Sequence, residues 1–249
     1  MTMALDLARA LDPVVFAKDC GLTPDPWQAE LLRSTARRAL LLCSRQSGKS
    51  TVTALLALWV ALFEAGLVVI VSPSQRQSAE MLRTIKGFLA HLKNGPSIAA
   101  ESALKIEFTN GARILALPGT EKTIRGIAGA ALIVIDEAAR VEDELLAAVR
   151  PMLATAKDGG RLIALTTPAG KRGFFFESWT GTGDWTRVKV AASDCPRISK
   201  EFLAEELKEL GAMRFSEEYE LEFRDNDEAV FPMAIIAAAF TQEVQPLWN

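Results

Sequence analysis

The sequence has few of the residues from which disulfide frames and histidine-based sites are built. It contains three cysteines, one histidine and one tyrosine among 249 residues. The cysteines are odd in number, widely spaced and form no Cys-x-x-Cys pair, which indicates reduced thiols in a cytosolic protein rather than a disulfide framework or a zinc site. Because His91 is the single imidazole, a histidine-centred catalytic triad or a histidine-rich metal site is not expected.

Long apolar runs and a strong excess of one charge are also missing. The longest uninterrupted apolar run, residues 54–63, has about half of the ~20 residues that a membrane-spanning helix needs. The N-terminus contains Asp6 and Arg9 and no signal-peptide core, so we expect no membrane segment and a cytoplasmic protein. The 28 basic and 31 acidic residues give a net charge of −3, so a nucleic-acid contact has to be a local basic patch.

Apolar runs alternate with helical segments over most of the chain, which has 49% hydrophobic and 24% charged residues, as globular proteins do. Runs that are apolar throughout predict strands of a parallel sheet covered on both faces. The predicted strands are 39–43, 67–71, 131–135 and 161–165, and the predicted helices are 49–65, 74–92 and 142–155. The alternating runs 104–108 and 113–117 flank Asn110-Gly111, which predicts a β-hairpin insertion. Together they predict an open, mainly parallel α/β sheet.

The chain divides into three predicted parts. Residues 1–171 form the α/β core with an N-terminal helical segment. Residues 172–228 form a small accessory subdomain, with a short strand near residues 185–190 and charged helices over residues 199–223. The tail 229–249 has no closing element of its own.

A polar loop follows the first predicted strand and leads into the first core helix. Residues 44–51 have the sequence Ser-Arg-Gln-Ser-Gly-Lys-Ser-Thr, and backbone N–H groups at such a helix start form a cradle for phosphate groups. Gly48 lets the backbone approach the phosphates, Lys49 is expected to reach the β- and γ-phosphates, and Ser50 to bind Mg²⁺. Thr51 is placed to contact the α-phosphate.

The loop departs from the general phosphate-loop pattern at one position. The pattern Gly-x-x-x-x-Gly-Lys-Ser/Thr requires its first glycine where this chain has Cys43. The alternative is a chance Gly-Lys-Ser at a helix start, and the apolar strand before the loop argues against it.

Two carboxylates stand at the end of a later apolar strand, at Asp136 and Glu137. An aspartate at this place can hold Mg²⁺ through water, and the adjacent glutamate can orient the attacking water. The alternative is a pair of charges that the dipole of a following helix favours. Downstream of a phosphate loop, the pair supplies the carboxylates for Mg²⁺ binding and for orienting water, which the loop itself lacks.

In this order the motifs resemble the ATPase domain of the large terminase subunit, the motor that packages DNA into tailed-phage and herpesvirus-type capsids. The resemblance covers about residues 20–240. Residues 44–51 are similar to the family's phosphate loop, which commonly lacks the first glycine and has an early arginine. Residues 133–137 resemble its Walker B strand with a catalytic glutamate. Trp27-Gln28 matches the adenine-binding glutamine motif, residues 123–126 the Arg-Gly segment and residues 165–168 the coupling motif.

The resemblance implies a P-loop NTPase of the additional-strand, catalytic-glutamate type, with ATP and Mg²⁺ as its cofactors. Glu137 is expected to activate water, and Ser50 and Asp136 to hold Mg²⁺. Thr166 and Thr167 are expected to sense the γ-phosphate and relay its loss to the accessory subdomain, which acts as a lid. Nucleotide contacts are expected at Gln28, Ser44, Gln46, Ser47, Gly48, Lys49, Ser50, Thr51, Asp136, Thr166 and Thr167. In isolation, Gln28 is an ordinary exposed glutamine and the threonines cap a strand end.

Two arginines compete to stabilise the charge of the transition state. Arg45 lies in the phosphate loop and acts in cis, whereas Arg125 lies on a loop before the Walker B strand and can reach a ring neighbour's site in trans. A surface salt bridge is the alternative for Arg125. An arginine finger contributes ~10³–10⁵ in rate, so the distinction matters.

The implied function is ATP-driven translocation of double-stranded DNA into a procapsid in the cytoplasm of a bacterial host. The expected partners are a homo-oligomeric ring on a portal and the small terminase subunit, with no membrane. Family members continue into a nuclease domain, and we expect tail 229–249 to be a linker toward it and no nuclease chemistry in this chain. Candidate DNA-contacting residues are Lys86, Lys93, Lys105, the hairpin around Asn110, Lys171 and Arg172, and the alternative for each is a solvated surface charge.

Two other functions are consistent with parts of the pattern. A DEAD-like helicase core also has a glutamine motif, Asp136-Glu137-Ala138 and a threonine-rich third motif, but the residues after Pro168 are too few for a second RecA-like domain. A nucleotide-switched assembly module that hardly turns over is the other alternative, and Glu137 argues against it.

Overall fold

The computed structural model describes residues 3–92, 95–119, 124, 126–156 and 159–224. Expectations for Lys93, for Thr123 and Arg125, and for tail 229–249 concern positions outside these residues.

Eight strands and eight α-helices are present in the described residues. The strands are β1 (Arg38–Cys43), β2 (Leu67–Ser72), β3 (Ile98–Glu101), β4 (Lys105–Phe108), β5 (Arg113–Pro118), β6 (Ala130–Asp136), β7 (Arg161–Thr166) and β8 (Thr186–Val190). The helices are α1 (Met3–Leu11), α2 (Pro13–Asp19), α3 (Pro26–Arg33), α4 (Lys49–Phe63), α5 (Gln75–His91), α6 (Glu144–Leu153), α7 (Gly173–Thr180) and α8 (Lys200–Glu218). Gly211, with φ of 74°, interrupts α8.

All eight strands form one sheet in the order β3-β4-β5-β2-β6-β7-β1-β8. The six strands from β5 to β8 in this order are parallel to one another, and β4 runs antiparallel to both of its neighbours, β3 and β5. The predicted mainly parallel α/β sheet is confirmed. β7 lies between β1 and β6, so one additional strand separates the strand before the phosphate loop from the strand that ends in two carboxylates.

The predicted hairpin is present and belongs to the main sheet. β4 pairs with β5 in antiparallel fashion across Asn110-Gly111, and Asn110 Oδ1 accepts a hydrogen bond from Ala112 N at 2.9 Å. β5 in turn runs parallel to β2, so the hairpin extends the sheet. β3 was not predicted, because its residues are all exposed and lack the alternation that marks a half-buried strand.

One strand of the predicted accessory subdomain lies in the core sheet. β8 falls within residues 172–228, and it pairs in parallel with β1, with Val188 opposite Leu41. The segment therefore contributes an edge strand beside the phosphate-loop strand before it continues into α8.

Buried apolar side chains cover both faces of the sheet. On one face α4 packs against the sheet with eight buried apolar residues, and Lys49 at its start is buried as well. On the other face α6 packs against β6, and α7 packs against the short turn Ala138–Arg140 that follows β6. Burial on this scale holds the phosphate loop between a fixed strand and a fixed helix. No helix in the described part of the chain is long and apolar enough to cross a membrane.

Candidate active site

The site lies at the carboxyl edge of the sheet, where β1, β6 and β7 end side by side. Because these strands are parallel, the segments that follow them lie at the same edge. In open α/β sheets ligands bind at this edge. The loop after β1, the carboxylates at the end of β6 and the threonines at the end of β7 are therefore neighbours.

The loop between β1 and α4 has the backbone of an anion cradle. Gly48 precedes α4 in the left-handed region with φ of 84°, and no side chain caps the helix, so its first N–H groups face outward. A Cβ at Gly48 would lie 2.8 Å from Gln28 Nε2, and a side chain is strained at this positive φ, so the position favours glycine. Ser44 is fully buried, and its side chain lies beside the Cys195 thiol.

Lys49 and Ser50 reach the acidic end of β6. Ser50 Oγ donates to Asp136 Oδ1 at 3.3 Å, and Lys49 Nζ lies 3.5 Å from Glu137 Oε1. Asp136 is 7% exposed. Burial, and next the charge of Glu137, raise the pKa of Asp136 to about 6, and Lys49 and Ser50 offset only part of this effect.

These residues fit a divalent cation bound with a nucleotide. Burial and a second carboxylate raise the pKa of Asp136, and the charge of Lys49 offsets only part of this effect, so a further positive charge beside this carboxylate would be favourable. A carboxylate and a hydroxyl oxygen at 3.3 Å from each other are ligands that Mg²⁺ prefers. Ser50 and Asp136 are the residues that would hold the ion.

The Glu137 carboxylate is held from two sides. Its backbone lies in the left-handed region, with φ of 50° and ψ of 46°, a conformation that is strained for a non-glycine residue and recurs at functional sites. Its Oε2 accepts a hydrogen bond from Arg140 Nη1 at 2.8 Å, opposite the contact with Lys49. The turn after β6 therefore fixes where this carboxylate points.

Arg140 is a site residue that the sequence analysis missed. It ends the 3₁₀ turn Ala138–Arg140, and its Nη1 also lies 3.5 Å from Thr167 Oγ1. Thr166 Oγ1 donates to the carbonyl oxygen of Thr167 at 2.7 Å and accepts from Ala139 N at 3.3 Å. The spacing of three residues from Glu137 is the sequence signal that indicates Arg140, because it brings both side chains to one side of a turn.

Gln28 lies against the phosphate loop as a helix-capping residue. Its Oε1 accepts from Asp25 N at 2.9 Å, as part of the capping box of α3. Its Nε2 is 3.5 Å from the carbonyl oxygens of Ser47 and Gly48, and the residue is 1% exposed. Gln28 is thus buried at the predicted nucleotide site, and its amide oxygen is engaged by the backbone of its own helix.

A second arginine that the sequence analysis missed is Arg197, which follows β8. Its Nη2 lies 2.9 Å from Asp25 Oδ2 and donates to the carbonyl oxygen of Ser47 at 2.9 Å. No local motif marks Arg197, because its partners precede it by 172 and 150 positions.

The remaining predicted site residues point elsewhere. Arg45, whose side chain is 59% exposed, forms an ion pair with Glu218 at the end of α8, away from Asp136. Gln46 is exposed with φ of 58°. Thr51 lies half-buried in the first turn of α4. The structure thus brings Lys49, Ser50, Asp136 and Glu137 together, and Gln28, Ser47 and Gly48 together.

Comparisons with known proteins agree with this architecture. The model of the family described as "Terminase large subunit, T4likevirus-type, N-terminal" matches residues 40–238. The ATPase domain of the large terminase of Thermus phage P74-26 matches with a TM-score of 0.68 and 21% identity, over 84% of this chain and 97% of that one. No curated protein matches.

Two longer large terminases give the same fold. The terminase of the thermophilic bacteriophage D6E in complex with ADP has a TM-score of 0.66 and 13% identity, over 81% of this chain and 54% of that one. The large terminase of bacteriophage HK97 has a TM-score of 0.63 and 17% identity, over 82% and 51%. The chain therefore spans about half the length of these two proteins.

The fold is that of a P-loop NTPase, with a phosphate loop after β1 and one additional strand before the acidic strand end. Because the family model covers most of the chain, the chain belongs to the family of large terminase N-terminal domains. The family and the fold class predicted from the sequence are confirmed.

Proposed function

We propose that this chain is an ATP-hydrolysing motor domain of a viral terminase large subunit, which drives translocation of double-stranded DNA into a procapsid. The observation that carries the proposal is the group formed by Lys49, Ser50, Asp136 and Glu137 beside an uncapped helix start. Family membership supports the motor role. The D6E relative was solved with ADP and with ATP-γ-S, which supports binding of the same nucleotides here.

The nucleotide's phosphates lie over residues 44–51 in this proposal. The N–H groups before and in the first turn of α4 donate to them, and Lys49 leaves Glu137 for the β- and γ-phosphates. Ser50 and Asp136 would hold Mg²⁺, which would supply charge neutralisation at the phosphates. Gln28 lies at the adenine end of the site.

Hydrolysis uses Glu137 as the residue that orients and deprotonates water. The departure of Lys49 toward phosphate frees one carboxylate oxygen, while Arg140 keeps hold of the other, 2.8 Å away. Thr166 and Thr167 sense loss of the γ-phosphate, and the contact of Arg140 with Thr167 at 3.5 Å supports a link between the two motifs.

An arginine completes the charge at the transition state. Arg45 acts in cis in one alternative, and it must leave Glu218 to do so. Arg125 acts in trans in the other, which requires a ring of subunits.

We propose the host cytoplasm as the location, a portal-bound ring with the small terminase subunit as the assembly, and the division into core 1–171, lid 172–228 and linker 229–249.

The test is ATP hydrolysis per subunit across a wide range of protein concentration, with Glu137→Gln and Arg125→Ala alongside. If specific activity rises with concentration and Arg125→Ala removes the rise, the active unit is an assembly with a finger in trans. If it stays constant, catalysis is complete within one subunit and Arg45 is the arginine to test. Hydrolysis that persists in Glu137→Gln contradicts the proposed mechanism.

The alternatives give different results in the same preparation. An assembly module releases at most one phosphate per subunit, whereas the proposed motor turns over many times. A helicase core separates the strands of a forked duplex, whereas the proposed motor moves along the intact duplex.

A further inference from the structure

The phosphate loop has a second flank, opposite the acidic strand end. There Asp25, Gln28 and Arg197 meet the carbonyl side of Ser47 and Gly48. The acidic end supplies the hydrolytic groups, and the proposed function gives Asp25 and Arg197 no role.

Arg197 joins three segments that are far apart along the chain. One guanidinium nitrogen, Nη2, lies 2.9 Å from both the Asp25 carboxylate and the carbonyl oxygen of Ser47. The Asp25 side chain is 12% exposed and the Arg197 side chain 46% exposed, so the ion pair is shielded from water on the side of Asp25 only. Arg197 therefore fastens the start of α3 and the segment after β8 to the phosphate loop.

The contact lies at the nucleoside end of the loop. A triphosphate with its γ-phosphate at Glu137 has its nucleoside on the opposite side, where Gln28 and Arg197 are. A Cβ on Gly48 would meet Gln28 Nε2 at 2.8 Å and Arg197 Nη2 at 3.0 Å, so both side chains rest on the same glycine. Nε and Nη1 of Arg197 have no partner in the described part of the chain and can donate to a ligand.

We propose that Arg197 is a positioning residue for nucleotide binding. It holds the Ser47–Gly48 backbone in the shape that receives phosphates, and it keeps Asp25 and Gln28 against that backbone. The inference rests on the proposed function, because it assumes that the loop binds a nucleotide. Since Arg197 lies far from the γ-phosphate end, it acts equally on nucleoside diphosphates and triphosphates.

The experiment measures dissociation constants for ADP and ATP-γ-S by calorimetry, and KM and kcat for ATP. Arg197→Ala is expected to weaken both nucleotides about tenfold, the effect of one hydrogen bond to a charged group, with kcat within about twofold. Arg197→Lys is expected to recover most of the affinity, because one ammonium group reaches both oxygens. Lys208→Ala, which removes an exposed cation from α8, is the matched control and leaves both constants unchanged.

Asp25→Asn tests the ion pair by itself, because asparagine retains the N-cap of α3. It is expected to weaken ADP about threefold, and to add nothing in combination with Arg197→Ala. If Arg197→Ala does not fold, Asp25→Asn and Arg197→Lys carry the test, and unchanged ADP affinity in Asp25→Asn overturns the proposal. An effect of Arg197→Ala on ATP-γ-S alone also overturns it. Failure of the unmodified protein to bind either nucleotide contradicts the proposed function instead.

Discussion

The two flanks of the phosphate loop are built in different ways. The acidic flank comes from short motifs at strand ends, where Ser50 lies 3.3 Å from Asp136 and Arg140 lies 2.8 Å from Glu137. The nucleoside flank is held by Arg197, whose partner Ser47 is 150 residues away in the chain. The reactive groups of the acidic flank are therefore placed by local turns at strand ends, whereas the nucleoside flank depends on packing between distant segments. We therefore expect changes on the acidic flank to alter kcat and changes on the nucleoside flank to alter KM.

The largest effect is expected from Glu137→Gln. The amide retains the shape of the side chain but cannot accept a proton, so kcat is expected to fall roughly 10³-fold, within the range of general-base catalysis. ADP affinity is expected to stay within about twofold. Phosphate-release assays measure kcat, and calorimetry measures ADP affinity. A loss of ADP affinity together with kcat would contradict the separate roles of the two flanks.

Asp136→Asn tests how much the negative charge of Asp136 lowers the free energy of unfolding. Burial and Glu137 raise the pKa of Asp136 to about 6, so the folded state disfavours its charged form. The free energy of unfolding of the nucleotide-free protein therefore falls as pH rises from about 4 to about 6, and remains lower above that range. The variant is expected to be more stable at pH 8 by roughly 2–3 kcal/mol, with little gain near pH 4.

The control for this stability measurement is Asp184→Asn, at an exposed carboxylate. Urea unfolding at pH 8 and pH 4 compares the two variants. A loss of stability in Asp136→Asn at pH 8 would contradict the view that this carboxylate is short of positive charge.

Arg140→Ala is expected to lower kcat about tenfold, because the Glu137 carboxylate loses a charged hydrogen bond at 2.8 Å that fixes its direction. KM for ATP is expected to change by less than about twofold. Arg140→Lys retains the charge and is expected to recover part of kcat, and Arg150→Ala, at an exposed arginine of α6, is the matched control. Initial rates across ATP concentrations give kcat and KM. A rise in KM with kcat unchanged would contradict the role of Arg140 in orienting Glu137.

The smallest effect is expected from Glu218→Gln, which removes the ion pair of Arg45 with the end of α8. Because the arginine side chain is 59% exposed, the pair contributes less than about 1 kcal/mol. Freed Arg45 is expected to raise kcat/KM for ATP about two- to threefold if it acts in cis. Glu220→Gln, at an exposed neighbour, is the control, and a loss of activity in Glu218→Gln alone would show that the pair supports the site.

The sequence predicted those parts of the molecule that depend on local patterns. Gly48-Lys49-Ser50 and Asp136-Glu137 each follow or end a buried apolar strand. Because parallel strands end at one edge of a sheet, the sequence alone places the two motifs at the same edge. The pairing of β8 with β1 was not predicted, since an edge strand with three exposed residues, one half-buried residue and one buried residue has no pattern that identifies its partner. Arg197 was missed for the same reason, because its role depends on a contact across the fold.

The most direct test of the account is a pair of ATP saturation curves, for Arg140→Ala and Arg197→Ala, against the unmodified protein. The account predicts that Arg140→Ala lowers kcat about tenfold with KM retained, and that Arg197→Ala raises KM about tenfold with kcat retained. A change in the same parameter, kcat or KM, in both variants would contradict the proposed division of the phosphate loop into an acidic flank that hydrolyses ATP and a nucleoside flank that binds it.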